Sequence, residues 1–311
     1  MRLHPQILQI GTDFGDNGHV KMYLVEGEKK AIIDTGVTFS PKQDIAPYLS
    51  MYGYTLDDIE IIINTHGHYD HAGGNPGIPK AEAWMHEADV FMVEDPGAAF
   101  DEYNAPFLRL MGKSEAQVHA EKAKNVSGIV KQKVSRVLKD GDIVDLGKGM
   151  VLKVITLPGH SRGSIGYLLE KEGILFIGDS AMGQGSRPGI LPVLSYPLTY
   201  AATLQKLLGM QLNMVTTGHY YQALRINSNS VKKGGQIRLY LEDCQEINNW
   251  IMECVARNIH RHWEAPFPVV MSAAVGEIAQ RLFLRRDPMT GLPREAARIL
   301  GAYYLDIKKS L

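Results

Sequence analysis

The sequence predicts an α/β protein with a helical C-terminal region. Three observations carry this. Apolar runs of strand length recur between residues 7 and 217, divided by turns rich in Gly, Asn and Asp. Four of those runs end in loops that hold histidine or aspartate, and α/β proteins place their chemistry at strand ends. From Gln236 onward the period changes: Ile237, Leu241, Cys244, Ile247, Ile251, Val255 and Ile259 recur every three to four residues. With 311 residues, 45% of them apolar and 22% charged, the chain can bury a sizeable core. The length suits one large domain or a domain with an appendage.

Taken in order, residues 7–10, 20–25 and 31–33 read as strands, and Asp34-Thr35-Gly36 closes the third. Asp34 has two readings of equal weight: a carboxylate that orients a ligand histidine, or a turn cap. Pro41 after Ser40 opens a helix that runs to about residue 52. Residues 59–64 form the next strand and residues 83–85 a short one. His86, alone at that strand's end, reads as structural. Residues 97–136 carry Glu, Lys and Ala, and predict one or two helices laid over the core. They would be a lid that shapes a pocket, or ordinary packing. Phe100, Tyr103, Phe107, Leu108, Leu110 and Met111 give them an apolar surface. Strands resume at residues 141–144 and 151–155, and residues 165–169 with 174–177 form a hairpin pattern. Ala201, Leu204, Leu208 and Leu212 mark a helix, and residues 214–217 a strand. Residues 227–311 read as all helical. Within them, residues 272–283 and 293–308 are two further helices, joined by the turn Asp287-Pro288-Met289-Thr290-Gly291.

The chain is organised around Thr65-His66-Gly67-His68-Tyr69-Asp70-His71-Ala72-Gly73-Gly74. Three histidines and an aspartate fall within six positions, just after an apolar strand. The small residues behind them fit a tight turn or a helix start. Neutral imidazole suits zinc, iron and nickel, while carboxylate oxygen suits harder ions. Four donors in one loop exceed what a single tetrahedral ion draws from one loop. The spacing therefore points to two ions side by side, with His66 and His68 facing one and Asp70 and His71 the other. Eleven histidines make one nearby pair unremarkable, but not this cluster beside Gly-Gly. Three more strand patterns end in donors: His160 in Pro158-Gly159-His160-Ser161, Asp179 in Gly178-Asp179-Ser180, and His219 in Gly218-His219-Tyr220. Each is weak alone. Together they matter, because a dinuclear site must be assembled from several loops on one edge.

Other classes lack support. A net charge of −1 at pH 7 makes no electrostatic case for nucleic acid or an anionic membrane. Arg257, Arg261, Arg285, Arg286, Arg294 and Arg298 are interspersed with acidic residues, which suits a solvated helix face. Cys244 and Cys254 stand ten apart in a helical pattern and point in different directions, so no disulfide is expected. That fits a reducing, cytoplasmic setting. The N-terminus lacks the apolar core of a signal peptide, and no apolar run reaches membrane-spanning length. The apolar stripe of the tail suits a homodimer interface or docking on the chain's own core equally well.

Asp34-Thr35-Gly36, the His66–His71 cluster, Pro158-Gly159-His160-Ser161, Gly178-Asp179 and Gly218-His219 arrive in the order of the metallo-β-lactamase fold superfamily. The chain resembles that family over about residues 6–225. The resemblance implies a four-layer αββα sandwich, here a catalytic domain over residues 1–226 followed by the helical region 227–311. It implies His66, His68 and His160 on one metal, Asp70, His71 and His219 on the other, and Asp179 between them. Two divalent ions are expected, zinc first, with iron and manganese as alternatives. Flavodiiron-like members have a glutamate where His68 stands, and the family's β-lactamases commonly lack an aspartate equivalent to Asp179. The chain therefore looks more like the glyoxalase II, lactonase, thioesterase and phosphodiesterase branches. Its tail resembles those of glyoxalase II and of the thioesterase that responds to bacterial quinolone signals.

The expected function is a dinuclear metal-dependent hydrolase of a small acyl ester, thioester or lactone. A metal-bridging hydroxide would attack the carbonyl, with Asp70 shuttling its proton. Tyr220, Tyr221 and Ser180 stand beside ligands as candidate oxyanion donors, Tyr220 foremost. The alternatives are a β-lactam or phosphodiester hydrolase of the same fold, a mononuclear iron dioxygenase of the persulfide type using His66, His160 and Asp179, and a non-catalytic binding protein. The partner is a small acyl molecule, which no residue pattern identifies.

Overall fold

The computed structural model describes residues 1–15, 18–186, 189–282, 284 and 296–310. The first sheet holds β1 (Arg2–His4), β2 (Ile7–Phe14), β3 (Gly18–Glu26), β4 (Lys30–Ile33), β5 (Ile61–Ile63), β6 (Glu82–His86) and β7 (Arg136–Leu138), side by side in chain order. The second holds β8 (Ile143–Asp145), β9 (Val151–Thr156), β10 (Ile165–Leu169), β11 (Ile174–Phe176), β12 (Met214–Thr216) and β13 (Val231–Lys233), also in chain order. From β4 to β7 the neighbours run parallel, as do β11 and β12, so these strands deliver their carboxyl ends to one edge.

The three isoleucines of β5 show why the sheets stack. Ile61 and Ile63 face the second sheet, in one cluster with Tyr167 and Phe176. Ile62 points the other way, against Ile45 and Leu49. A strand covered on both faces reads as an unbroken apolar run. The outer layer over the first sheet includes α1 (Ala46–Ser50), and α2 (Tyr69–Ala72) is the single turn inside the donor loop. The expected insertion is larger than one or two helices. It also begins before residue 97: α3 (Val90–Glu94) leads into α4 (Pro96–Tyr103), α5 (Ala105–Leu110) and α6 (Glu115–Val126). Pro96 and Pro106 can begin a helix but not continue one, which cuts the segment into short pieces. The Asp95 carboxylate accepts from the backbone of Gly97 and Ala98, and a Ser114–Gln117 capping box opens α6. The insertion ends before residue 136, because Arg136 already pairs with Trp84 as the first residue of β7.

Over the second sheet lie α7 (Pro197–Leu208), α8 (Gly235–Arg261), α9 (Phe267–Ile278) and α10 (Ala296–Ser310). Their apolar stripes join Ile155, Leu175, Ile177 and Val215 of the sheet in one cluster. The stripe of α8 is therefore occupied by the chain's own core. Helix, sheet, sheet, helix is the expected four-layer sandwich. The stretch from residue 227, expected to be all helical, opens instead with β13, which pairs with β12. Its Val-Lys-Lys sequence hides it. Lys232 is buried, with its ammonium donating to the Asn229 carbonyl and lying 4.0 Å from the centre of the Tyr240 ring. Burial pushes its pKa down to about 7. The helix expected over residues 272–283 lies earlier, as α9. Phe283, the turn at 287–291, Pro293 and Arg285, Arg286 and Arg294 lie outside the described residues. Among the described residues, no helix is long and apolar enough to cross a membrane.

Candidate metal centre

Five strand ends meet at one edge of the sandwich. Asp34 follows β4, the residues from Thr65 to His71 follow β5, His160 follows β9, Asp179 follows β11 and His219 follows β12. Helix α2 begins at Tyr69, and so carries Asp70 and His71 round to a different side from His66 and His68. The glycine before His219 is needed for closeness: a Cβ on Gly218 would lie 2.5 Å from both Asp179 Oδ1 and His71 Cε1.

The donor atoms fall into two trios linked by one carboxylate. In the first, His160 Nε2 lies 3.1 Å from His66 Nε2 and 2.7 Å from His68 Nδ1. In the second, His219 Nε2 lies 3.2 Å from His71 Nε2 and 3.4 Å from Asp70 Oδ2. Asp179 Oδ2 is 3.4 Å from His71, 3.4 Å from His219 and 3.5 Å from His160, so it touches both. All seven residues expected as ligands are brought together.

The outward-facing ring nitrogens explain how the rings are aimed. His160 Nδ1 donates to the Val193 carbonyl at 2.6 Å, and His219 Nδ1 donates to the His19 carbonyl. His71 Nδ1 donates to Asp34 Oδ2 at 2.8 Å. The Thr65 hydroxyl donates to the same carboxylate, which leaves its oxygen to accept from His66 Nδ1 at 3.1 Å. Each Nε2 atom is thereby turned inward, where it can give a lone pair to an ion once any proton on it has left. Lone pairs that face one another at such distances need a cation or a proton between them. Asp179 Oδ1 is buried without a hydrogen-bond partner among the described residues. This donor set, imidazoles in one half and carboxylates added in the other, fits two divalent ions.

Asp34 is resolved toward the ligand-orienting reading. Its backbone sits at φ 59, a left-handed conformation uncommon for a non-glycine residue. It is held there by the Thr65 backbone and hydroxyl, each at 2.8 Å, and by His71. His86 is structural as expected: its Nδ1 accepts from the Ala88 backbone.

Electrostatics separates the trios. Burial, reinforced by neighbouring imidazoles, holds His66 and His68 well below the usual histidine range, and burial likewise lowers His160. Burial also opposes charge on His71 and His219. There, Asp179 and the other nearby carboxylates outweigh it, raising His71 well above its ordinary value and His219 to about 9. Against the same burial penalty, His219 and His71 hold Asp179 well below the carboxylate range, and the same two histidines hold Asp70 low.

Other placements differ from expectation. Tyr220 does not line the donor cavity. Its ring stacks on His19, with the Lys21 ammonium 4.3 Å from its centre, and the ring is partly exposed. Its neighbour Tyr221 lines the cavity instead, with its buried hydroxyl beside Asp179. Burial, with the charge of Asp179 nearby, keeps that hydroxyl protonated. Ser180 is buried and does not line the cavity. Arg298, read as part of a solvated face, lines it from α10. The cavity has a volume of about 300 Å³.

Asp89 is a residue that sequence reasoning misses. Fully buried, it accepts from Gly67 N at 3.1 Å, Gly163 N at 2.7 Å and Ser161 Oγ at 2.6 Å. It thereby ties the loop of His66 and His68 to the loop of His160. It stands in no motif and ends no apolar run, so nothing in the sequence marks it. The carbonyls of His19 and Val193 are invisible for a simpler reason: a backbone acceptor leaves no side-chain signature.

Comparison with known proteins agrees with this chemistry. The chain is a metal-dependent hydrolase of the metallo-β-lactamase superfamily: the family model described as "Metallo-beta-lactamase superfamily" matches residues 15–219. Among its relatives, the acyl-coenzyme A thioesterase MBLAC2 of Homo sapiens is 27% identical over 289 residues, covering 80% of this chain and 90% of the relative. The hydroxyacylglutathione hydrolase of Erythrobacter litoralis is 33% identical over 133 residues, 43% of this chain and 37% of the relative. The fold matches a metallo-beta-lactamase family protein of Thermus thermophilus, with TM-score 0.69 and 20% identity, covering 99% of this chain and 95% of that one.

Proposed function

We propose that the chain hydrolyses acyl thioesters at a dinuclear divalent metal centre, with zinc as the resident ion. Asp179 carries the dinuclear reading, because its Oδ2 lies within 3.5 Å of histidines from both trios. Support for the thioester comes from the relatives: one is named for acyl-coenzyme A and one for hydroxyacylglutathione, and both carriers are thiols. When bound, two divalent ions supply an activated water and a Lewis acid for the carbonyl. Asp70, ionised at neutral pH and partly exposed to the cavity, would help hold one ion, and its carboxylate would be the group placed to accept a proton from the activated water and pass it to the leaving thiolate. Tyr221, in place of Tyr220, is the tyrosine at the cavity wall, with its buried hydroxyl toward Asp179. The His19 and Val193 carbonyls and Asp34 keep the imidazoles aimed.

The partner is a small acyl molecule. The net charge of −1 gives no reason to add nucleic acid or a membrane. The two buried, free cysteines suit a cytoplasmic setting. The test is metal analysis of protein purified without added metal, run beside a panel of acyl thioesters, lactones, β-lactams and phosphodiesters. Two zinc ions per chain and the highest kcat/KM on a thioester are expected. Best turnover on another panel member would replace the thioester part of this reading. One iron per chain with oxygen uptake and no hydrolysis would overturn it in favour of a dioxygenase.

A further inference from the structure

A second cavity lies beside the donor cavity, roofed by the helical insertion, with a volume of about 190 Å³. His68, Tyr69 and Arg298 line both, so the two share a wall at the metal loop. The contact is close by construction. Gly67 stands between two predicted ligands, and a Cβ there would lie 2.7 Å from the Cβ of Met92 in α3. The insertion therefore rests directly on the loop that carries His66 and His68.

We infer that this second cavity seats the apolar chain of the substrate's acyl group, and that the insertion sets the preferred chain length. The inference rests on the hydrolase reading above and gives it a substrate class. Continuity is the first argument: an acyl carbonyl at the donor cavity has its chain beside the shared wall. Lining chemistry is the second. Met92, Val93, Phe100, Val126, Ile129 and Val130 make the walls apolar. Among the described lining residues, Arg298 is the only side chain of fixed charge, and it stands at the junction with the donor cavity. Gln132 donates to the Ala72 carbonyl at 2.9 Å, and the polar atoms left in the lining without a partner among the described residues include its Oε1 and the Tyr103 hydroxyl, both neutral. A carrier thiol rich in phosphates, carboxylates or amides would lose its hydration here and find few partners. A run of methylenes loses nothing polar, and each one buried strengthens binding by about threefold to fourfold.

The test uses the metal-loaded full chain in two assays. One measures kcat/KM on N-acetylcysteamine thioesters from acetyl to dodecanoyl. The other follows binding of the fluorescent polyene cis-parinaric acid, with decanoate as competitor, and needs no turnover. Ala99→Trp places an indole in the cavity from α4, where Ala99 lines it. Val130→Glu adds a charge at a lining position that is 58% exposed, so it tests the idea without straining the core. In the wild type, kcat/KM should rise with chain length to a maximum and then fall. The ratio of decanoyl to acetyl kcat/KM should drop about tenfold in Ala99→Trp and by a smaller factor in Val130→Glu. Probe affinity should weaken in parallel. No probe binding to the wild type, or equal binding by the wild type and both variants, overturns the inference. Failure of the thioester reading looks different: no thioester is turned over, while the probe still binds the wild type, is displaced from it by decanoate, and binds both variants more weakly.

Discussion

One half of the metal centre is three imidazoles, while the other adds carboxylates to its imidazoles. In the first, His66, His68 and His160 are buried among one another, and burial lowers all three pKa values, so they offer lone pairs at neutral pH. In the second, Asp34, Asp70 and Asp179 surround His71 and hold it protonated against the same burial. The same physical force, desolvation, therefore ends in opposite protonation states. The deciding variable is how many carboxylates stand within reach. The first half is ready for an ion and carries little charge of its own. The second carries an excess of negative charge, which a cation must balance.

Asp179 belongs to both halves, so its loss should have the largest effect. Asp179→Asn keeps the shape but removes the charge that His71, His160 and His219 share. Metal content should fall from two ions per chain to below one, and kcat/KM by about a thousandfold or more. Full metal loading in that variant would show that the halves are independent. Next come the single-half variants. His68→Ala should lose the ion of the imidazole half and keep the other, and Asp70→Ala should do the reverse, each giving about one ion per chain. If either variant lost both ions, the division into halves would be wrong.

Two buried aspartates outside the ligand set sharpen the contrast, with smaller effects. Asp34 orients His71, so Asp34→Asn should weaken metal binding about 10- to 100-fold in the carboxylate half alone. Asp89 braces the imidazole half through Gly67, Gly163 and Ser161. Asp89→Ala leaves three buried donors without an acceptor and should cost about 3 kcal/mol of stability, read by denaturant unfolding. Its metal defect should fall on the imidazole half. A defect confined to the other half would refute the bracing role.

These residues also show what is legible in the sequence. The seven donors can be read because each follows an apolar strand and sits among small residues that allow a close approach. The four-layer fold can be read from strand and helix periods together with the order of those loops. Asp89 cannot, because its partners are backbone groups 22 and 74 residues away, a proximity only the folded chain creates. Tyr220 and Tyr221 cannot be ranked, because adjacency to His219 does not say which side of a strand end faces the cavity. Adjacent residues there point in opposite directions, and the expectation settled on the exposed ring. Strand β13 escapes notice because Lys232, a buried lysine, breaks the apolar pattern that marks other strands.

The smallest effect in this series is a difference in proton release, and it tests the comparison most directly. His219 has a pKa of about 9 and His71 lies well above the ordinary histidine value of 6.5, so both hold protons at pH 7. An ion entering that half must displace them, and its affinity should rise with pH up to about 9. His66, His68 and His160 lie below 6.5, so an ion there displaces no proton at pH 7 and its affinity is flat above that value. The linkage to folding has a matching sign. A pKa raised by folding contributes stability that is fully present below the unfolded value and is lost as pH rises through the folded one. The metal-free protein should therefore melt at progressively lower temperature between pH 6.5 and about 9, and bound metal should flatten that slope. The measurement is calorimetric metal titration in buffers of different ionisation enthalpy, using the two single-half variants. His68→Ala, which retains the carboxylate half, should release protons on binding, and Asp70→Ala should release almost none. Equal release from both would mean that the carboxylates do not set the protonation of their neighbours, and the contrast between the two halves would fall.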